Sequence, residues 1–175
     1  MSLIKIITIP DKRLRMKAEP IEEITDEIRV LAERMAETMY AAPGVGLAAP
    51  QVGLSLRLVT IDVAEEEQDA QLMVLVNPEI LEKEGEAVGE EGCLSVPGYF
   101  EEVKRAAWVK VRYQDLDGKE YVEEIEGFLA VAFQHEIDHL NGVVFIDHLS
   151  SLKRKIAIRK VAQWNKENEY PGEEL

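Results

Sequence analysis

The chain has 175 residues, 46% of them hydrophobic and 31% charged, a balance that is typical of a globular protein and predicts one domain over residues 1–175. Its net charge of −14 excludes broad electrostatic attraction to DNA or to an anionic membrane. Because the start, MSLIKIITIP, lacks a signal-peptide pattern and no stretch is as apolar as a membrane span, we expect a cytoplasmic protein without membrane contact.

The first half of the chain predicts one helix followed by short strands. Apolar residues recur at helical spacing over residues 25–41, with Thr25 as a possible cap and Pro43-Gly44 as the stop. Runs of β-branched and aliphatic residues predict strands at 56–63, 73–76, 108–113 and 121–125. The last two form a predicted hairpin, because Asp117-Gly118 lies between them.

The second half predicts two helices. The segment from Gly127 to Asn141 is apolar on most of its circumference, and Asn141-Gly142 can end it with a left-handed cap, so this helix should be buried. A last helix should start after Ser150-Ser151 and run toward Trp164. The expected fold class is α+β, with short antiparallel strands packed around a buried central metal-binding helix and with helices at both ends.

The buried helix carries a metal-binding pattern. His135 and His139 are four residues apart, so both imidazoles lie on one helix face, and Glu136 stands beside them. A catalytic metal site needs three protein ligands and one open position. A third ligand must therefore come from elsewhere in the chain.

The downstream sequence offers few candidates for this third ligand. In the HExxHxxGxxH pattern of one group of zinc proteases, Gly142 fits the glycine, but Phe145 stands where the third histidine is required. The residues that follow His139 provide only Asp147 and His148. Spacing alone leaves open a downstream carboxylate ligand, as in a zinc endopeptidase.

Cys93 is an upstream candidate and the only cysteine in the chain, so it has no intrachain disulfide partner. It lies within residues 91–97, where glycine and proline fit a turn that can point the thiolate at the helix. One thiolate and two imidazoles suit Zn²⁺, Fe²⁺, Co²⁺ or Ni²⁺. A closed structural site in a non-catalytic binding protein would need a fourth ligand, which is not evident near these motifs.

A third group of residues is the glycine-rich stretch 44–51, GVGLAAPQ. Together with EGCLS at 91–95 and QHEIDHL at 134–140, it resembles the three motifs of the peptide deformylase family in order and spacing. The resemblance extends to TIPDKRLR at 8–15 and FIDHLS at 145–150, so it covers nearly the whole chain. It implies a metallohydrolase that removes the formyl group from N-formylmethionyl nascent peptides.

The resemblance also implies roles for single residues. The implied metal ligands are Cys93, His135 and His139. The metal of the family is natively Fe²⁺, which Zn²⁺, Ni²⁺ or Co²⁺ often replaces. Glu136 is the implied general acid and base.

Four further residues have implied roles toward the substrate. The side-chain amide of Gln51 and the backbone N–H of Leu94 would donate to the developing oxyanion. The backbone of Val45 and Gly46 would pair with the substrate peptide.

Helical spacing adds an expectation about specificity. Phe128, Val131 and Ala132 precede His135 by one and two turns on the same side of the helix. They should form an apolar wall beside the metal, although plain core packing explains the same pattern. The resemblance implies that this wall receives the methionine side chain.

The chain departs from the family after EGCLS, where some members carry an arginine that helps bind the substrate backbone. The residues that follow Pro97 here are Gly98, Tyr99 and Phe100. Lys104 and Arg105 are the nearest basic residues that can substitute.

A cluster of basic residues lies in the last predicted helix. Its members are Lys153, Arg154, Lys155, Arg159 and Lys160. Because the family acts on chains that emerge from the ribosome, we hypothesise that this segment makes a transient contact with ribosomal RNA. A solvated helix face is the alternative interpretation.

Overall fold

The computed structural model describes residues 2–175. Its helices are α1 (Asp26–Ala41), α2 (Gly127–Leu140) and α3 (Ser151–Glu167). Its strands are β1 (Gly46–Ala48), β2 (Leu58–Ile61), β3 (Met73–Glu84), β4 (Ala87–Cys93), β5 (Val96–Arg105), β6 (Trp108–Gln114) and β7 (Glu120–Glu126). Single 3-10 turns lie at Lys12–Arg15, Ala49–Val52 and Phe145–His148.

The strands form two antiparallel sheets. The larger has the order β1-β2-β3-β6-β7, so β1 is an edge strand, and the smaller is the hairpin β4-β5. The predicted hairpin is confirmed, since β6 pairs with β7 and Tyr113 lies opposite Tyr121. Among residues 2–175, no helix is long and apolar enough to cross a bilayer.

Helix α2 is the buried element that was predicted. It packs against strands of the larger sheet, and its residues Phe133 and Leu140 are fully buried in the same hydrophobic cluster as Val59 and Val111 of that sheet. The expected α+β class is confirmed. The assignment of residues 1–175 to one domain remains our prediction. The core that α2 shares with the sheet supports it.

Capping residues bound the helices where the sequence indicated. The hydroxyl oxygen of Thr25 accepts a hydrogen bond from the Ile28 N–H at the start of α1, and that of Ser150 accepts one from the Lys153 N–H at the start of α3. Beyond α2, Gly142 has the left-handed conformation, with φ of +76°. Of the predicted Asn141-Gly142 cap, Gly142 is the residue with the left-handed conformation, whereas Asn141 has a φ of −106°.

The strand predictions were wrong at several boundaries. Strand β2 is shorter than predicted, whereas β3 continues past Asn77 and Pro78 because a register shift there absorbs the interruption. The side-chain amide of Asn77, a residue with φ of +52°, bonds both the N–H and the C=O of Ile21 at 2.8 Å, and the backbone N–H of Asn77 donates to the Arg57 carbonyl. Sequence reasoning missed β1, β4 and β5 as strands. Of these, the short β1 and β4 lack apolar alternation.

Candidate metal centre

The structure brings Cys93, His135 and His139 together. Cys93 ends β4, and the two histidines lie one turn apart on α2. The Sγ of Cys93 is 3.3 Å from the Nε2 of His139, and one potential ligand atom from each of the three residues lies within 4.8 Å of the others. A thiolate and two imidazoles at this spacing fit a divalent transition metal.

The downstream candidates for a third ligand are engaged elsewhere. The carboxylate of Asp147 accepts hydrogen bonds from Arg15 and from the Val144 N–H. The Nε2 of His148 lies 2.9 Å from the carboxylate of Asp138. Among residues 2–175, neither belongs to a cluster that could hold a metal ion, which disfavours the endopeptidase alternative.

The electrostatics of the two imidazoles favour a cation between them. Burial lowers the pKa of His139 well below its ordinary value, so this ring is neutral, as a metal ligand must be. Burial also lowers the pKa of His135, but the negative charge of Glu136 and the hydrogen bonds with Cys93 and Glu91 outweigh burial and raise it well above the ordinary value. These anionic neighbours attract a proton to His135 or a metal ion to the site.

A buried chain of charges orients His135. Its Nδ1 lies 2.9 Å from a carboxylate oxygen of Glu91, which leaves Nε2 to face the site. Arg105 donates to both oxygens of Glu91, each at 2.9 Å, and to Asp138 at 2.6 Å. Burial alone would raise the pKa of Glu91, but the hydrogen bonds from Arg105 and His135 lower it to about 2, so Glu91 is ionised.

Glu136 is buried beside the ligands. Its Oε2 is 4.0 Å from the Nε2 of His135, and its Oε1 has no hydrogen-bond partner. Burial raises the pKa of Glu136 to about 7, although the positive charges of His135 and Arg105 oppose this rise. A carboxyl group that titrates near neutrality can both accept and return a proton.

The backbone of β1 passes directly over this carboxylate. A Cβ added to Gly46 would collide with the Oε2 of Glu136, so the close approach requires glycine. Gly46 also offers an open strand edge, because the carbonyl of Val45 accepts from the Asp62 N–H and hydrogen-bonded pairs alternate along an antiparallel ladder. The N–H and C=O of Gly46 therefore point away from β2.

Gln51 is fixed with its amide nitrogen toward the thiol. Its Oε1 accepts from the Ala48 N–H at 2.9 Å, and its Nε2 lies 3.1 Å from the Ser95 hydroxyl and 3.5 Å from the Sγ of Cys93. The amide orientation follows, because only the oxygen can accept from Ala48. Sequence reasoning did not assign a role to the fully buried Ser95.

Leu94 lies in the turn between β4 and β5 and is held from two sides. Its side chain covers Gly44, where an added Cβ would lie 2.7 Å from the Leu94 Cδ1. Its carbonyl accepts a hydrogen bond from the hydroxyl of Tyr170 at 2.7 Å. Sequence reasoning missed Tyr170, because no motif or periodicity links two residues that are 76 positions apart.

The residues of the expected apolar wall differ in exposure. Phe128 is 55% exposed at the start of α2, Val131 is half-buried, and Ala132 is buried in the core. The side chain of Val45, on the segment before β1, is 44% exposed. Ala132 thus belongs to the core, as the packing alternative predicted, while the larger side chains Phe128 and Val45 remain accessible.

The two basic residues after EGCLS, Lys104 and Arg105, differ in burial. Arg105 is buried against Glu91 and Asp138, and therefore it does not substitute for the arginine of other members. The side chain of Lys104 is 64% exposed and 3.6 Å from Glu86. Phe100 is 65% exposed and packs on Gly92, directly before Cys93.

Comparisons with known proteins show what this chain is similar to. The sequence model described as polypeptide deformylase matches residues 3–155. The chain is 58% identical over 161 residues to a peptide deformylase of Afipia carboxidovorans, covering 91% of this chain and 94% of the relative. Its fold is similar to a peptide deformylase structure from Legionella pneumophila, with a TM-score of 0.89 and 48% identity over 94% of this chain and 96% of that chain.

A second solved structure carries a ligand. The peptide deformylase from Ehrlichia chaffeensis in complex with actinonin has a TM-score of 0.89 and 43% identity, covering 96% of this chain and 99% of that chain. The similarity thus includes nearly the full length of both chains.

Proposed function

The chain belongs to the peptide deformylase family, and from this membership we propose which of its residues carry out the reaction. It is a metal-dependent hydrolase that removes the N-formyl group from nascent peptides. The main observation behind the residue assignment is that a thiol and two imidazoles lie close together beside the buried carboxyl group of Glu136.

The proposed metal ligands are Cys93, His135 and His139. We propose Fe²⁺ as the metal, with Zn²⁺, Ni²⁺ or Co²⁺ able to replace it, because the family resemblance implies iron and the donor set accepts all four ions. When bound, the metal supplies Lewis-acid chemistry that lowers the pKa of water and polarises a carbonyl oxygen.

Glu136 is the proposed general base and then the general acid. It accepts a proton from the water that attacks the formyl carbon, and it later gives this proton to the amine that leaves. The C–N bond breaks in the second step, so the products are formate and a free N-terminus. The position of Glu136, buried under the backbone of Gly46, keeps the carboxyl group from bulk water.

Gln51 and Leu94 are the proposed donors to the oxyanion. The amide nitrogen of Gln51 faces the thiol of Cys93, and the backbone N–H of Leu94 adjoins it in the chain. A single well-placed donor of this type is typically worth about 3 kcal/mol of transition-state stabilisation. The hydrogen bonds of Gln51 to Ala48 and Ser95 hold its amide in place before the charge develops.

The substrate peptide is proposed to add a strand to the edge of β1. Gly46 offers its N–H and C=O at that edge, which supports backbone pairing. The carbonyl of Val45 is engaged with Asp62, so Val45 would contribute mainly its exposed side chain. Phe128 and Val131 would contact the methionine, with Ala132 supporting them from the core.

Formate release tests this proposal directly. Metal-replete protein, purified without oxygen, is expected to release formate from a formyl-Met-Ala-Ser peptide. The matched control is acetyl-Met-Ala-Ser, in which a methyl group replaces the hydrogen at the reacting carbon, and the free N-terminus formed is measured for both peptides because hydrolysis of the control would give acetate. No release of formate from folded, metal-loaded protein would contradict the assignment.

A ribosome contact of α3 is a separate proposal. The side chain of Lys153 lies 3.4 Å from Glu101, and Lys160 lies over the ring of Tyr99, so both also support the fold. Arg154, Lys155 and Arg159 are the better probes. Because phosphate contacts release counterions, changing these three to glutamate is expected to reduce co-sedimentation with ribosomes by about tenfold at low salt.

The matched control for this test changes three basic residues on or beside the larger sheet to glutamate. These residues are Lys83 on β3, Lys110 on β6 and Lys119 in the turn between β6 and β7. Equal co-sedimentation of both variants and the unchanged protein would remove the proposed contact. We further propose that the protein works in the cytoplasm, where the ribosome supplies its substrate.

A further inference from the structure

The segment after α3, residues 168–175, folds back over the start of the chain; we call it the C-terminal tail. The Lys5 N–H donates to the Glu173 carbonyl and the Glu173 N–H donates to the Leu3 carbonyl, both at 2.9 Å. Gly172 has φ of +124°, and a Cβ there would lie 2.7 Å from the Leu3 carbonyl oxygen. The path of the tail is therefore specified by its sequence, although the family match ends at residue 155.

Tyr170 directs the tail toward the candidate metal centre. Its hydroxyl donates to the carbonyl of Leu94 at 2.7 Å, and its ring packs 4.9 Å from that of Trp164. Burial, and secondarily the negative charge of Cys93, raise the pKa of Tyr170 to about 12. The hydroxyl therefore keeps its proton and remains a donor over the working pH range of a neutral hydrolase.

The tail also reaches the site through the N-terminal segment that it covers. Two residues of this segment donate backbone hydrogen bonds to the site: Ile7 to the Gln51 carbonyl at 2.8 Å, and Ile9 to the Ser95 carbonyl at 3.0 Å. The backbones of Gln51 and Ser95 are thus tied to a segment that the tail covers. Tyr170 is the point at which the tail itself contacts this part of the site.

We propose that Tyr170 is a positioning residue for the deformylation reaction, because its hydroxyl fixes the Leu94 backbone whose N–H faces the oxyanion. The inference rests on the proposed function of Leu94. A donor that is held in place before the charge develops stabilises the transition state more than the bound substrate. Loss of the Tyr170 hydroxyl should therefore act on kcat, with KM nearly unchanged.

The test is Tyr170→Phe, which removes the hydroxyl and keeps the ring. We expect kcat for formyl-Met-Ala-Ser to fall about fivefold, with KM unchanged within about twofold. Hydrogen exchange of a peptide that contains Leu94 should become about threefold faster, because its backbone has lost one anchor. The absorption spectrum of the Co²⁺-loaded variant should match that of the unchanged protein, since the ligands stay in place.

The matched control is Tyr121→Phe, which removes another partly buried hydroxyl, bonded to Asp115 at 3.0 Å in the hairpin of β6 and β7. It should change neither kcat nor the exchange at Leu94. Unchanged kcat and exchange in Tyr170→Phe would overturn the proposal, and so would an altered Co²⁺ spectrum. If the unchanged protein released no formate, the proposed function would fail, whereas the exchange measurement would still test the contact of Tyr170 with Leu94.

Discussion

Changing Glu136 to glutamine is expected to lower kcat for formyl-Met-Ala-Ser roughly 1,000-fold while the metal remains bound. Glutamine keeps the volume of the buried side chain but can neither accept the proton of the attacking water nor return it to the leaving amine. Glu136 lies beside the ligands, and its Oε1 has no hydrogen-bond partner that a proton transfer would have to displace. No other carboxyl group of the site is placed to replace it, because Glu91 is engaged by Arg105 and His135.

The measurement combines initial rates of formate release with the metal content of each preparation. Glu124→Gln is the matched control, since it makes the same change on the exposed side of β7. It should retain full activity. If Glu136→Gln kept more than about a tenth of kcat with its metal bound, general acid-base catalysis by Glu136 would be contradicted.

The sequence predicted the parts of the site that depend on local spacing. His135, Glu136 and His139 are close in sequence on one buried helix, so helical periodicity placed them together. Cys93 was a candidate third ligand because it is the only cysteine and lies in a stretch that fits a turn, and the family resemblance then implied the same ligand set. The structure then brought these donor atoms into one cluster.

The parts that were missed depend on tertiary contacts. Glu91 was visible inside the EGCLS motif, but its hydrogen bonds to His135 and Arg105 span 44 and 14 positions of the chain. Ser95 and Tyr170 act through backbone and hydroxyl groups, which leave no pattern of charge or periodicity in the sequence. Such residues can be found only when the fold is known.

The strand errors have a similar origin. Strand β4 contains two glycines and two glutamates, and of these four residues only Glu91 is buried. Alternation of apolar and polar residues is therefore absent, and pairing with β5 alone defines the strand. The helices were predicted more closely because the N-cap residues Thr25 and Ser150 mark the starts of α1 and α3 within the sequence itself.

Arg105→Met is expected to destabilise the metal-free protein by about 3–5 kcal/mol, because it leaves the ionised Glu91 buried without its main partner. The side chains of Arg105 and Glu91 are only 5% and 7% exposed, so water cannot replace the lost hydrogen bonds. The pKa of Glu91 should rise as a result. Urea denaturation of the metal-free protein measures the loss of stability.

The same change should weaken metal binding about 10- to 100-fold, since Glu91 orients the His135 imidazole and Arg105 holds Glu91. Arg112→Met is the matched control, because Arg112 donates to both oxygens of Glu79 at 3.0 Å but its side chain is 44% exposed. Such an exposed pair contributes less than about 1 kcal/mol. The comparison tests the effect of burial, since each arginine contacts both oxygens of one carboxylate, Arg105 through two nitrogens and Arg112 through one. Equal losses of stability in the two variants, or unchanged Co²⁺ affinity in Arg105→Met, would show that the buried chain of charges does not support the metal site.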